Sequence, residues 1–167
     1  MKIMTKAFMV MALLFIVCES AIAQNDFNAQ GSTIVPNIWT CYPNANYYYI
    51  PYFTVTNITG EEVQCRITVY DHAGNDLTQY SKIYSGGTTW GLISSGTGDF
   101  TLPAHSTRMY SLKPEGTSVW TIGHAVIEWK SNDSRLRKAL VAGMTLQTSN
   151  NQGFGIALSD INNGQPF

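Results

Sequence analysis

Residues 61–70 read EEVQCRITVY, and their alternation decides the fold class. Val63, Cys65, Ile67 and Val69 alternate with Glu62, Gln64, Arg66 and Thr68. Successive side chains of a strand point to opposite faces, so one face here is apolar and the other wet. That suits an antiparallel sheet with one solvated side. The stretch DHAGND, residues 71–76, follows with the Gly and Asn of a hairpin turn.

Outward from this strand the signal repeats, and no stretch offers a helical period. DLTQYSKIYS (76–85) is a weaker strand, and TTWGLI (88–93) and DFTL (99–102) are short ones around the loop SSGTG. LPAHSTRMYSL (102–112) supplies a proline turn and a strand. GHAVIEWKS (123–131) alternates Ala125, Ile127 and Trp129 against His124, Glu128 and Lys130. KALVAGMTLQT (138–148) sets Leu140, Ala142, Met144 and Leu146 on one face, and FGIALS (154–159) offers Phe154, Ile156 and Leu158. About eight strands without helices predict a sandwich or barrel. Residues 24–46, with Pro36, Pro43 and many Asn and Ser, read as an irregular N-terminal arm before a β domain at 47–167.

YFTVTNITGEEVQCRITVYDHAGN (52–75) and FTLPAHSTRMYSL (100–112) resemble bacterial immunoglobulin-like sandwich domains of exported proteins. In those, a strand ending Val-x-Asn leads through a turn to one ending Tyr-Asp-x-x-Gly, and a Leu-Pro-x-x-x-Thr turn opens a later strand. The resemblance covers roughly residues 47–112 and implies an all-β, antiparallel, Ig-like β-sandwich of about 7–9 strands. It brings no catalytic residue, and such folds host many functions.

The front end carries export grammar. Lys2 and Lys6 precede an unbroken apolar run from Ala7 to Val17, and Ala21-Ile22-Ala23 offers small residues before a cut at Gln24. The run is too short to span a bilayer, which needs about 20 residues. A signal peptide at 1–23 is therefore expected, and with it a secreted protein: periplasmic, cell-surface or extracellular. Val17 and Phe15 stand where lipoprotein cleavage before Cys18 wants small and leucine residues, so Cys18 leaves with the signal. Cleavage takes the formal net charge from −1 to −2. That balance argues against nucleic acid, which needs a dense basic surface. No second stretch is apolar enough to span a membrane. Cys41 and Cys65 then remain. In an exported chain they are expected to form one disulfide worth about 3 kcal/mol, the alternative being two buried free thiols.

NYYYIPYFTV, residues 46–55, packs tyrosines around Pro51. Parity places Tyr47, Tyr49, Pro51, Phe53 and Val55 on one face and Tyr48, Ile50, Tyr52, Thr54 and Thr56 on the other. Pro51 cannot donate a ladder hydrogen bond, which suggests an edge strand or a bulge. Three fates are open for the rings. The arm folds over them, they form a protein contact, or they stack on a sugar together with Trp39, Tyr42 and Trp90. The terminal Phe167 docks either in the end of the sandwich or on a neighbouring subunit, which makes it a further candidate contact.

Chemistry leaves little trace. His72 and His105 sit in turns and His124 on a wet face, and no nucleophile or zinc spacing appears. Asp71, Asn75 and Asp76 do not match a calcium loop, and a hairpin turn explains them. The sequons at Asn57 and Asn132 lie in expected turns. The expectation is a non-enzyme without metal or cofactor. It works through a protein partner or self-association, or alternatively binds carbohydrate through Trp39, Tyr48, Tyr52 and Trp90.

Overall fold

A computed structural model describes residues 27–115 and 117–167; the expected signal at 1–23 lies outside them. The strands are β1 (Gly31–Asn44), β2 (Tyr47–Asn57), β3 (Val63–Asp71), β4 (Ser81–Tyr84), β5 (Leu92–Ser95), β6 (Asp99–Leu102), β7 (Thr107–Leu112), β8 (Thr117–Lys130), β9 (Leu140–Asn150) and β10 (Gly153–Asp160). Two short 3-10 turns, Thr78–Tyr80 and Ile161–Gly164, complete the elements. Among the described residues no helix is long and apolar enough to cross a membrane.

One layer runs β1-β8-β3-β6 and the facing layer β5-β4-β7-β2-β9-β10, all antiparallel. β1 joins them. Its residues from Gly31 to Tyr42 pair with β8, while Cys41 and Asn44 pair with β2. The result is a nearly closed, barrel-like sheet with the core inside.

The alternation of β3 is realised: Val63, Cys65, Ile67 and Val69 are all buried. Opposite them on β8 lie Ala125, Ile127 and Trp129, and the facing layer contributes Phe53, Val55, Ile83, Tyr110 and Leu112. Each large side chain fully buried this way stabilises by about 1.5–3 kcal/mol. Trp129 needs the gap at Gly31, where a Cβ would stand 2.4 Å from its Nε1. Asn57, fully buried at the end of β2, fastens the turns at one end of the barrel. Its Nδ2 donates to the carbonyls of Glu61 (2.7 Å), Leu102 (3.1 Å) and Pro103 (3.0 Å). Its Oδ1 accepts from the Thr59 backbone N–H (2.9 Å) and hydroxyl (2.8 Å). This sequon asparagine is therefore structural.

Four expectations change. First, the arm at 24–46 is not irregular, because from Gly31 onward it is β1. A bulge between Val35 and Ile38, with Pro36 and Asn37 exposed and Asn37 at φ 58°, hides its period of two. Second, Cys41 and Cys65 are free and buried. Cys65 is level with Trp129 and hence with Gly31, ten residues from Cys41 along β1 and two strands away. At about 3.3 Å per residue that offset is roughly 30 Å, far beyond the ~7 Å a bridge allows. Third, Pro51 marks neither an edge nor a bulge. β9 follows one side of β2 without interruption, so β1 and β7 share the other. Pro51 stands between Tyr49, paired to β1, and Tyr52, the first residue paired to β7, where no ladder bond is needed. Fourth, Phe167 is buried in this chain's own core. Its N–H donates to the Leu140 carbonyl (3.0 Å) and its main-chain oxygen accepts from Ala139 (2.9 Å) and Leu140 (3.1 Å), so it offers no partner contact.

Candidate functional site

β2 distributes its tyrosines to two faces, and only one gathers the expected site residues. On the outer face of the six-stranded layer, Tyr48 stacks on Tyr42 with centroids 5.7 Å apart. The Lys113 Nζ lies 4.3 Å over the Tyr42 ring, a cation–π contact. Glu115 holds that ammonium at 2.9 Å and Lys82 at 3.1 Å, and these contacts keep its carboxyl below the usual range. Half-burial raises the Tyr52 phenol, with Lys113 opposing and Tyr48, Tyr84 and Tyr42 adding to the rise. Lys82 and Lys113 outnumber Glu115 in this group by one charge.

Register carries this face across to β10. Tyr52 sits opposite Thr145, which sits opposite Leu158. Ile50 leads through Gln147 to Ile156, and Tyr48 through Ser149 to Phe154. Directly opposed residues of antiparallel strands share a face, so the rings and the aliphatics lie on one side of the sheet with the polar Thr145, Gln147 and Ser149 between them. Phe154, Ile156 and Leu158 are 60%, 58% and 78% exposed, more than an alternating strand with a covered side allows. The expected strand exists, but its apolar residues point to water. Parity alone could not tell which face was covered.

The opposite face of β2 carries a second cluster. Trp120 packs against Tyr49 (4.8 Å between centroids) and Tyr47 (5.8 Å), and Trp39 lies opposite Ile122 on the neighbouring strand. Trp39, Trp120 and Ile122 are exposed. Trp120 belongs in the candidate set although the sequence reading starts its strand at Gly123. The alternation of Trp120, Ile122, His124 and Val126 is the signal for it. Trp90 joins neither cluster: it sits in the loop before the edge strand β5, at φ 45°.

The polar candidates resolve simply. One hollow, of about 640 Å³, is lined by Arg66, Tyr70, Asp76, Asp99 and Glu128 among others. Arg66 lies opposite both Asp99 and Glu128 and grips Asp99 through two bonds of 2.6 and 2.8 Å. The Asp71 carboxylate accepts from the Ala73 and Asn75 N–H groups (both 2.8 Å) and from Asn75 Nδ2 (2.9 Å), which closes the hairpin turn. Burial raises both thiols, Cys65 well above its ordinary value, which makes it a poor nucleophile. His124 stacks on Tyr70 at 5.3 Å.

No family model matches the chain, and no curated protein matches it. Among solved structures it is similar to one titled "Crystal Structure of Thermotoga maritima 1070". The identity is 9% and the TM-score 0.49, with 83% of this chain and 100% of that chain covered.

Proposed function

We propose that this is an exported, non-catalytic protein on an immunoglobulin-like β-sandwich, acting through protein–protein contacts at the cell surface or outside the cell. The observation that carries the reading is the outer face of the six-stranded layer, which runs from the Tyr42–Tyr48 stack to the exposed Phe154, Ile156 and Leu158. Exposed aromatic and aliphatic side chains gathered on one sheet face mark interaction sites, and tyrosine is enriched in them. The export grammar of residues 1–23 supplies the location. The reading as a non-enzyme rests on the occupied polar groups: Asp99 is held by Arg66, Asp71 by its own turn, and Cys65 is buried.

A photo-crosslinking side chain at position 156, in the cells that make the protein, tests this. An adduct to an identified protein, absent when the probe stands at the exposed Lys138, is the expected result. Absence of any protein adduct at 156 overturns the reading. A second reading, a carbohydrate-binding or adhesion module, is favoured by the exposed Trp39 and Trp120 beside Tyr47 and Tyr49. It requires saturable change of tryptophan fluorescence with a glycan, lost in Trp120→Ala.

A further inference from the structure

Among the described residues β5, β6 and β10 each pair with a single strand, and these edges are protected unequally. β6 is four residues long and carries the Arg66–Asp99 ion pair. β5 is also four residues long, and its pairing with β4 is broken by a register shift. β10 runs eight residues in unbroken register with β9, contains no proline or lysine, and bears one charge, Asp160, at its last position. Short length, charge and bulges are the devices that keep edges from pairing, and β10 has none of them before Asp160.

The backbone direction of β10 is fixed by its hairpin. Asn151 and Gln152 form the tip, closing on the pair Asn150–Gly153. A two-residue hairpin closes on a hydrogen-bonded pair, and such pairs recur at every second residue. Gly153, Gly155, Ala157 and Ser159 thus turn their N–H and C=O groups to β9. Phe154, Ile156 and Leu158 turn theirs to the open edge, and their large apolar side chains are exposed.

Resting on the protein-contact reading above, we propose that the occupant of this edge is β10 of a second copy, paired antiparallel about a two-fold axis at Ile156. That register sets Ile156 against Ile156, Phe154 against Leu158 and Gly155 against Ala157. Every open N–H and C=O of Phe154, Ile156 and Leu158 finds a partner, and the apolar side chains of both copies share one face. Asp160 falls opposite Gln152, so like charges do not meet. The contact is isologous and closes, giving dimers rather than fibres. One strand a side lies at the low end of specific interfaces, under about 1,200 Å² in total, so the dimer is expected to be concentration-dependent.

Sedimentation velocity between about 1 µM and 1 mM on the wild type, Ile156→Pro and Ile156→Lys tests the pairing. The proline removes only an N–H that faces away from β9 and is tolerated on an edge, so the fold persists while the pairing fails. The lysine places two like charges on the axis, and it carries the test should the proline variant unfold. The wild type is expected to pass from monomer to dimer with a midpoint on the order of 10 µM. Each folded variant should be weakened at least about tenfold, with circular dichroism unchanged. A wild type monomeric throughout, or a dimer indifferent to both substitutions, overturns the proposal. If a monomeric wild type still yields a crosslink to a foreign protein at position 156, self-pairing falls and the broader reading stands. Monomer without crosslink removes both.

Discussion

Replacing Asn57 with alanine removes the fastener at one end of the barrel, and the loss can be worked from its contacts. The amide of Asn57 donates to three carbonyls, of which Leu102 lies in a fully buried bond, and its oxygen accepts two bonds from Thr59. With about 1 kcal/mol net for each of the shortest bonds, and about 1–3 kcal/mol for a buried carbonyl left unpaired, the loss is ~4 kcal/mol. That is a large fraction of the 5–15 kcal/mol typical of a domain. Urea unfolding should show the midpoint falling with the m-value unchanged. Asn57→Asp keeps the acceptor for Thr59 but turns a carboxylate on three carbonyls, so it should be no better than alanine. A loss below about 1 kcal/mol in either variant would refute the fastening role, because one ordinary hydrogen bond would account for it.

Three further outcomes follow from particular contacts. Dithiothreitol should leave the melting temperature unchanged, and Cys41 and Cys65 should react with a thiol reagent only as the chain unfolds; a reductant-induced drop would show a bridge. Truncation of Phe167 should destabilise the fold by about 3–5 kcal/mol, as for a buried aromatic removed from a core, and not merely weaken association; differential scanning calorimetry at low concentration separates the two. The Asp71 carboxyl is held below its ordinary value chiefly by the Asn75 side chain and backbone N–H. Its contribution to the hairpin is therefore fully present above the usual carboxylate range and is lost as pH falls through the lowered value. The Ala73 and Asn75 amide resonances should report that loss, and resonances indifferent to acid would contradict it.

What was legible in the sequence depended on whether a period of two survived intact. β3 and the second half of β8 keep strict alternation, and their apolar residues are the buried ones. β1 hides because its bulge puts Val35 and Ile38 three apart, and Pro36 between them imitates a loop. The start of β8 is hidden because Trp120 and Ile122 alternate on the outer face, where apolar side chains do not mark a core. β2 was readable in parity, but the placement of Pro51 depends on which strands flank it, and that is a tertiary fact. Pairing of the cysteines could not be read from spacing either, since register sets them far apart. Of the candidate residues, Tyr48 and Tyr52 share a face by parity, and Tyr42 comes beside Tyr48 through the turn between β1 and β2. Phe154, Ile156 and Leu158 are legible as a strand but not as a surface, because which face is covered is a tertiary fact, and none of the described residues buries theirs.

The claim that the β10 face is a contact surface is tested most directly by residue-resolved hydrogen exchange over Gly153–Asp160, in dilute protein and in the concentrated or cell-associated state. The amides of Gly155, Ala157 and Ser159, which face β9, should be protected in both. Those of Phe154, Ile156 and Leu158 should exchange freely when dilute and become protected in the associated state. Free exchange at these three amides in both states would contradict the claim.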